Sequence, residues 1–559
     1  MKRRDLTRGL GAAIAGACAG ASAPLLAFTK PSPARFLPRA AEPRLEPPFL
    51  SDEALGWLAH LKRKVELGGR WRREDIVHEA WDTRSFVPTM SKPRYELTWI
   101  SWVIGLMAEA TPAWREIYAP IMRYAADRYL EYWAFHEWVE NRGDDPKRGD
   151  YPEAYKVLIP EGHFGRYNLV GWAGNGANGH PYDPDPIRAA GSMNLMYKGY
   201  LNLVLSTYAY VCDDGRYENG FEVVYDESLR WRYTQRELNA LLADQWGEHP
   251  EGMACEVSKV YPWCNVESGL GVVLYDALRG THHAGPYRDW LREMSGRYLA
   301  RDDAGRVSRL TAFYDSDLKT RLDGPAVQSS GNFAATIWHL LPVNRPLATE
   351  LYETSLRLFL RAADDGSAFA VAWATPTAVE SPVATGLLAA IAQELGDTAR
   401  FAALRQRLFT KYEPRREPER GEFSFDFGFG EPWPRGQYNG WVMPALVASG
   451  PGQWSRVFAE ADTKRFSEPT LEGVDFPRLR PRRVRWDAAR RRLEASFTHA
   501  AAEANAATLV AVTGLPGGVR CQVKADGDGR ALFVNAEGTL KIPLAYGVSS
   551  LVIEPALGP

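Results

Sequence analysis

The sequence predicts a mainly α protein, in which an (α/α)6-type helical barrel is followed by a small C-terminal antiparallel β-sandwich-like domain. Apolar residues return at intervals of three and four over residues 51–465, the spacing that puts them on one face of a helix. Roughly eleven or twelve such segments suit paired helices closed into a ring. Over residues 475–559 the pattern changes to short alternating runs separated by Gly, Asp and Asn, which indicates antiparallel strands.

The N-terminal residues are expected to lie outside these two domains. Residues 1–27 combine the pair Arg3-Arg4, a weakly apolar Ala/Gly run and a small-residue cleavage site, a pattern typical of twin-arginine export signals. We therefore expect a periplasmic protein, with a lipid anchor at Cys18 as the minor alternative. Residues 28–50 form a Pro-rich linker, whose prolines disfavour regular structure.

Several helix ends are legible in the helical domain. Thr234 and Glu237 have the spacing of a capping box, and Gly280 is placed to end the helix that precedes it. Residues 168–192 are crowded with Gly, Asn and Pro and follow neither periodicity. We predict a long irregular loop there, with Trp172 at the rim of a functional site.

Charge and hydropathy exclude two classes of partner. With 67 basic and 69 acidic residues the net charge is −2, so no broad electrostatic field attracts nucleic acid. No stretch after the signal approaches about 20 uninterrupted apolar residues, so no stable membrane span is expected. Aromatic residues make up 12% of the chain, which suits a helical barrel or a pocket for apolar, sugar or cationic groups.

Two of the five cysteines lie in the segment CEVSKVYPWC, from Cys255 to Cys264. A zinc site would need further ligands at close spacing, and the nearest histidines form no standard pattern with this pair, so no metal is predicted. Two interpretations remain open. Exported thiols tend to form disulfides, whereas two free thiols beside Glu256 could act as nucleophiles or exchange protons with a substrate.

Longer segments carry a family resemblance. GMACEVSKVYPWCNVESGLGVVLYDALRGT resembles the linalool dehydratase/isomerase family, in which two cysteines at this separation line the active site. DPIRAAGSMNLMYKGYLNLV is similar to that family's Asp-Pro-Ile loop and Met-Tyr-Lys-Gly helix, and TGLLAAIAQELGD to a late helix. The resemblance implies an exported α/α-barrel enzyme without a cofactor that dehydrates a tertiary allylic alcohol or moves its hydroxyl group. It also implies a homo-oligomer, a pentamer in the family.

Carried over residue by residue, the resemblance assigns Cys255, Glu256 and Cys264 to the active site and Met196 to the substrate pocket, with Tyr197 beside it. The family has a histidine where this chain has Tyr200. Tyrosine, with a reference pKa of about 10, mainly donates a hydrogen bond. Proton removal is therefore predicted to fall to Cys255 or Glu256, and protonation of the leaving oxygen to Cys264 or Tyr200. The family's cross-subunit Asp and Tyr and its structural disulfide have no match here.

Dehydration of such an alcohol needs an acid near the oxygen, a base near an adjacent C–H and aromatic walls around the cationic carbon. Trp172, Tyr261 and Trp263 are the predicted walls for a small apolar alcohol or alkene. Tyr314 is a further polar candidate, expected in a loop. Two other functions stay open: a carbohydrate-active α/α-barrel enzyme, either glycoside hydrolase or polysaccharide lyase, and an inactive exported binding protein, which the loss of the histidine would favour.

Overall fold

The computed structural model describes residues 46–69, 78–81, 94–131, 185–188, 194–212, 214–224, 227–255, 259–316, 319–459, 461, 463–499 and 506–555. The predicted signal peptide, most of the predicted linker, Trp172 and Glu256 lie outside these residues.

The described part of the chain is mainly helical, with small antiparallel sheets, as the sequence predicts. No helix in this part is both long and apolar enough to cross a membrane. In chain order the helices are α1 (Asp52–Leu67), α2 (Arg94–Ala110), α3 (Tyr118–Tyr129), α4 (Leu195–Val211), α5 (Gln235–Glu248), α6 (Pro262–Arg279), α7 (Gly285–Tyr298), α8 (Ser330–Leu340), α9 (Arg345–Phe359), α10 (Pro382–Leu395), α11 (Thr398–Lys411), α12 (Gly436–Val442), α13 (Pro444–Val447) and α14 (Gln453–Ala459).

The helix ends follow the local sequence. Thr234 and Glu237 form the predicted capping box at the start of α5, which satisfies two N–H groups that the helix itself leaves unbonded. Gly280 ends α6 in the left-handed conformation, with φ of 65°, as predicted. That helix begins at Pro262, between the two cysteines. Pro262 occupies its first turn, where a missing N–H costs nothing, so Cys264 belongs to the helix.

The even-numbered helices pack against one another in sequence. α2 contacts α4, α4 contacts α6, and the series continues through α8 and α10 to α12, which packs back on α2. The odd-numbered helices α3, α9 and α11 lie against this series from outside. The residues of the even-numbered helices are almost all buried; α4, for example, is buried along its whole length. Such helices are apolar all round because they have neighbours on every side.

Helix α14 lies across one end of this arrangement. It contacts α2, α6 and α10, which are not neighbours of one another. The Trp454 indole stacks on that of Trp338 with ring centroids 4.7 Å apart, and its Nε1 donates to the Trp338 carbonyl at 2.9 Å. The buried Glu394 carboxylate accepts from the backbone N–H of Trp454 at 2.9 Å, an anion at the helix start that satisfies an otherwise unbonded donor.

Short antiparallel hairpins connect the helices, and two larger sheets follow them. The hairpin strands are β1 (Phe221–Val224), β2 (Arg230–Tyr233), β3 (Lys259–Val260), β4 (Leu299–Arg301), β5 (Val307–Leu310), β6 (Phe313–Asp315), β7 (Thr320–Leu322), β8 (Leu360–Ala362), β9 (Ala368–Ala370), β10 (Pro414–Glu417) and β11 (Glu422–Phe425). The C-terminal strands are β12 (Thr470–Glu472), β13 (Leu479–Asp487), β14 (Arg492–His499), β15 (Ala507–Thr513), β16 (Arg520–Ala525), β17 (Asp528–Phe533), β18 (Leu540–Ala545) and β19 (Ser550–Pro555).

The C-terminal strands form a five-stranded sheet in the order β13-β14-β19-β16-β17 and a three-stranded sheet in the order β12-β15-β18. All neighbours are antiparallel. Buried and exposed residues alternate strictly along β18, so one face of its sheet is covered and the other meets solvent.

Backbone hydrogen bonds join these sheets to the helical part. The Leu471 N–H donates to the Ala113 carbonyl at 2.7 Å, and the Ala113 N–H donates to the Val484 carbonyl at 3.2 Å. Leu50, at the end of the predicted linker, is fully buried and donates its N–H to the Arg482 carbonyl at 2.8 Å. The last linker residues are therefore part of the folded core, since an apolar side chain gains free energy by burial wherever it meets a groove.

Candidate functional site

The candidate site is built where α4 and α6 cross. A Cβ atom on Gly271 of α6 would lie only 2.7 Å from the backbone nitrogen of Leu203 on α4. Only glycine permits this approach, because any larger residue would meet backbone that has no freedom to move aside. The close crossing brings Tyr200 on α4 next to Cys264 on α6.

The segment that carries Cys255 is held against the start of α6. The Asn265 side-chain amide accepts from the Met253 N–H at 2.9 Å and donates to the Met253 carbonyl at 2.9 Å. The Leu195 N–H, at the start of α4, donates to the Ala254 carbonyl at 3.1 Å. Both helices therefore position Cys255.

No disulfide bond joins Cys255 and Cys264, and both side chains are buried. The Tyr200 hydroxyl donates a hydrogen bond to the Cys264 sulfur at 3.4 Å. Burial raises the pKa of Tyr200 well above its usual value, and the nearby Cys264, Glu267 and Cys255 raise it further. The phenol therefore stays protonated at neutral pH and acts as a donor.

A carboxyl group that the sequence did not indicate lies beside this pair. Glu267 is one turn after Cys264 on α6 and is fully buried. Its Oε1 accepts from the Trp102 indole at 3.1 Å and its Oε2 from the Trp263 indole at 2.8 Å. Burial raises the pKa of Glu267 to about 8, although hydrogen bonds from Tyr200, Trp263 and Trp102 act to lower it.

His339 on α8 approaches the same carboxyl group from another side. Its Nε2 lies 3.7 Å from Oε1 of Glu267, and its ring packs edge-on to Trp102 with centroids 4.7 Å apart. Burial lowers the pKa of His339 to about 3, against a hydrogen bond with the Ala335 backbone that raises it. The imidazole is therefore neutral at neutral pH, and its contact with Glu267 is not an ion pair.

Aromatic rings from three elements surround the carboxyl group. The Trp263 and Trp441 rings meet edge to face with centroids 5.4 Å apart, and Trp102 lies 6.1 Å from Trp441. Trp102 and Trp441 are almost completely buried. These walls exclude water, which strengthens every electrostatic interaction inside them.

The predicted substrate-binding residues fall into two groups. Met196 is buried one turn before Tyr200 and accepts a hydrogen bond from the Tyr95 hydroxyl at 2.9 Å, so it borders the site. Tyr197 is buried as well, but its hydroxyl donates to the Tyr129 carbonyl at 3.0 Å. Tyr197 therefore serves the packing between α3 and α4.

Tyr261 follows strand β3, and Tyr314 lies in the neighbouring strand β6. Trp263, whose indole donates to Glu267, lies one residue from Cys264. Tyr261 packs on Phe313 with ring centroids 5.4 Å apart. Tyr314 was expected in a loop, but it belongs to strand β6, where it pairs with Val260 of β3. The expectation was wrong because a three-residue strand is too short to show an alternating pattern. The β3–β6 pairing ties Tyr314 to the strand that follows the Cys255 segment.

Among the described residues, no group of three or more His, Cys, Asp or Glu side chains is arranged to hold a metal ion. Of the carboxylates that a carbohydrate-active enzyme could use, Glu161, Asp183 and Asp213 lie outside those residues. Asp214 is exposed, and its Oδ2 accepts from the Tyr208 hydroxyl at 2.6 Å.

The segment from residue 171 to residue 423 matches the linalool dehydratase/isomerase family model. This match supports membership of the linalool dehydratase/isomerase family. The match includes α4, α6 and α8, and therefore Tyr200, both site cysteines, Glu267 and His339. Family membership supports a dehydratase or isomerase activity.

One solved structure similar to this chain is the unsaturated glucuronyl hydrolase from Bacillus sp. GL1, which is responsible for the degradation of glycosaminoglycan. The two chains are 14% identical with a TM-score of 0.36, and the similarity covers 70% of this chain and 94% of that chain.

Glu267 and His339 were missed in the sequence for different reasons. Glu267 interrupts the apolar face of α6, and it lies three residues after Cys264 and four after Trp263; that spacing places all three on one side of the helix and could have revealed it. His339 is a single histidine in an apolar helix far along the chain. Such a residue is more often a satisfied core side chain, so its position near Glu267 becomes visible only in three dimensions.

Proposed function

We propose that this protein is a cofactor-independent dehydratase/isomerase that acts on a tertiary or allylic, terpenoid-like alcohol by acid–base chemistry. The observation that carries the proposal is the hydrogen bond from the Tyr200 hydroxyl to the Cys264 sulfur at 3.4 Å, in a buried site to which Cys255 also belongs without a disulfide bond. A protonated phenol and two thiols in apolar surroundings supply acids and bases without fixed positive charge.

Dehydration would proceed by two proton transfers. Tyr200 or Cys264 protonates the hydroxyl oxygen, and the C–O electron pair leaves with water. A base on the Cys255 side, the thiolate of Cys255 or the carboxylate of Glu256, takes the proton from an adjacent carbon, and that C–H electron pair forms the double bond. Isomerisation would instead return water to the far carbon of the allylic cation, which releases a proton to the same base.

The tryptophan walls support the formation of a carbocation in this proposal. The faces of indole rings carry negative electrostatic potential and stabilise a nearby cation. Trp102, Trp263 and Trp441 enclose the acid groups on sides that α2, α6 and α12 provide. Dry walls also prevent premature capture of the cation by water.

The architecture and location belong to the same proposal. The packing of α2 on α4, and so on through α12 back to α2, supports an (α/α)6 barrel, and the two C-terminal sheets support a β-sandwich-like domain. The Arg3-Arg4 signal pattern supports export to the periplasm. Assembly into a homo-oligomer is proposed from family membership alone.

Replacement of Cys255 by alanine tests the function. Purified mature protein is offered linalool, geraniol and larger tertiary alcohols under anoxic, reducing conditions, and the products are separated by gas chromatography. Cys255→Ala should lower turnover by about 100-fold or more, because a proton-transferring group is lost. Cys521→Ala is the matched control, since Cys521 is also a buried free thiol but lies in β16.

Two results would contradict the proposed function. One is full turnover by Cys255→Ala with the alcohol that the wild type converts. The other is a wild type that converts none of these alcohols but cleaves or eliminates oligosaccharides, which would establish the carbohydrate-active alternative.

A further inference from the structure

We propose that Glu267 is the proton store of the active site: it holds the proton that replenishes Tyr200 when Tyr200 protonates the departing hydroxyl group. This inference rests on the proposed function and adds a residue that acts through Tyr200, which makes Glu267 a positioning and relay residue. Tyr200 alone is a poor reservoir, because a buried phenolate next to two sulfurs would be costly.

The contacts of Glu267 suit a group that gains and loses a proton in place. The carboxyl group is fully buried, and one indole N–H donates to each of its oxygens, at 3.1 Å and 2.8 Å. Indole N–H groups only donate, so they stabilise the carboxylate once it forms without supplying a proton. The Tyr200 hydroxyl donates to the Cys264 sulfur at 3.4 Å and also interacts with the Glu267 carboxyl group, so it connects the store to the thiol side.

The tautomer of His339 indicates that Glu267 rests in its protonated form. The Nδ1 atom of His339 lies 2.7 Å from the Ala335 carbonyl oxygen, and a carbonyl oxygen only accepts, so Nδ1 carries the imidazole proton. Nε2 is then unprotonated and lies 3.7 Å from Oε1 of Glu267, and this buried nitrogen has no hydrogen-bond partner among the described residues. A carboxylate beside this lone pair would be repelled, whereas a neutral, protonated carboxyl group would not.

No cation is among the described groups that shift the pKa of Glu267. His339 from α8 is the one described side chain that approaches Glu267 as an ion-pair partner would, and it is neutral because burial lowers its pKa to about 3. The helices α2 and α12 present tryptophans. The titratable or charged side chains nearby are Tyr200 from α4, Cys264 from α6, Cys255 before β3, Tyr129 from α3 and Arg94 from the start of α2.

The proton transfers of the relay return every group to its starting state. Tyr200 gives its hydroxyl proton to the substrate oxygen as the C–O bond breaks, and the Glu267 carboxyl proton moves to the Tyr200 oxygen. The proton removed from the substrate C–H resides on the base near Cys255. Its return through Cys264 and Tyr200 to Glu267 restores the starting state, and the repulsion between the carboxylate and the His339 lone pair favours that return.

Glu267→Gln tests the relay, since it keeps the size of the side chain and removes the acidic proton. Infrared spectra of the full mature chain are recorded at about pH 6 and about pH 10, on either side of the ionisation. Turnover of the alcohol found in the product screen is followed across the same range. Glu394→Gln is the matched control, because Glu394 is a buried carboxylate that binds Trp454 and Ser455. Glu267→Asp keeps an acid and serves if Glu267→Gln fails to fold.

The wild type should show a protonated-carboxyl band at about pH 6 that disappears at about pH 10, since burial raises the pKa of Glu267 to about 8. Its turnover should fall as the pH rises through the same value, because the acid form is then lost. Glu267→Gln should lack both the band and this pH dependence, with turnover lowered about 100-fold or more. Glu394→Gln and Glu267→Asp should retain the pH dependence.

The relay is wrong if the band is unchanged in Glu267→Gln, or if this variant keeps wild-type turnover with the same loss of activity at high pH. The relay is also wrong if Glu267→Asp lacks the protonated-carboxyl band at about pH 6 but keeps wild-type turnover. A wild type that converts no alcohol contradicts the proposed function alone, and the infrared band then decides whether Glu267 holds a proton.

Discussion

Tyr200 occupies the central place in the site at the scale of single residues. Its hydroxyl donates to the Cys264 sulfur at 3.4 Å and interacts with the Glu267 carboxyl group, so it joins the thiol side to the carboxyl side. The family's histidine could exchange a proton by itself near neutral pH. Tyrosine needs a partner that can, and Glu267 is a nearby residue of that kind.

Tyr200→Phe should lower turnover about 100-fold or more, since it removes the donor and keeps the ring. The hydrogen bond from Tyr200 lowers the pKa of Glu267, so its loss should raise that pKa and move any residual loss of activity to higher pH. Tyr210→Phe is the control, because Tyr210 is a buried tyrosine on the same helix whose hydroxyl donates to Glu109 instead. Wild-type turnover by Tyr200→Phe would remove this residue from the chemistry.

The residues predicted from the sequence were those with a local motif. Two spaced cysteines, a methionine one turn before Tyr200 and a tryptophan beside Cys264 are all visible in the chain. Glu267 and His339 come from segments about 70 residues apart, and their approach depends on the packing of α6 against α8. Periodicity identifies helix faces, but it does not say which faces meet.

At the scale of elements, the crossing of α4 and α6 sets the geometry of the site. Gly271 lets the two backbones approach, with Leu203 N only 2.7 Å from where a Cβ would lie. The capping residues were legible in the sequence because caps are local. The crossing of α4 and α6 could not be predicted from the sequence, because a glycine inside a helix does not indicate which helix lies against it.

Gly271→Ala should destabilise the protein by about 1–3 kcal/mol, because the added methyl group meets backbone and forces α6 away from α4. Turnover should fall as well, since Tyr200 and Cys264 would separate. Gly296→Ala is the matched control: Gly296 lies in α7 with nothing within 4 Å of its added Cβ, and alanine there should stabilise by about 0.5–1 kcal/mol. Thermal unfolding and turnover are measured for both variants. If Gly271→Ala were as stable as Gly296→Ala, the crossing of α4 and α6 would not be tight.

At the scale of the whole molecule, the fold positions one polar cluster inside an apolar interior. α2, α4, α6, α8 and α12 each contribute a side chain to it, and α14 closes one end of the helical part. The mainly helical class and the change to antiparallel strands were predictable, since both depend on periodicity within single segments. From the number of helices the sequence predicted only that they pair and close into a ring. The order in which they contact one another comes from their packing in the structure.

The placement of the substrate is the most direct test of the proposed site. A crystal structure of the Cys255→Ala variant with bound tertiary alcohol, such as linalool, would locate the hydroxyl oxygen before reaction. We predict that this oxygen lies about 3 Å from the Tyr200 hydroxyl, with the hydrocarbon chain against the tryptophan walls and a reactive C–H directed towards residue 255. An alcohol bound elsewhere in the chain, or one whose hydroxyl points away from Tyr200, would contradict the account.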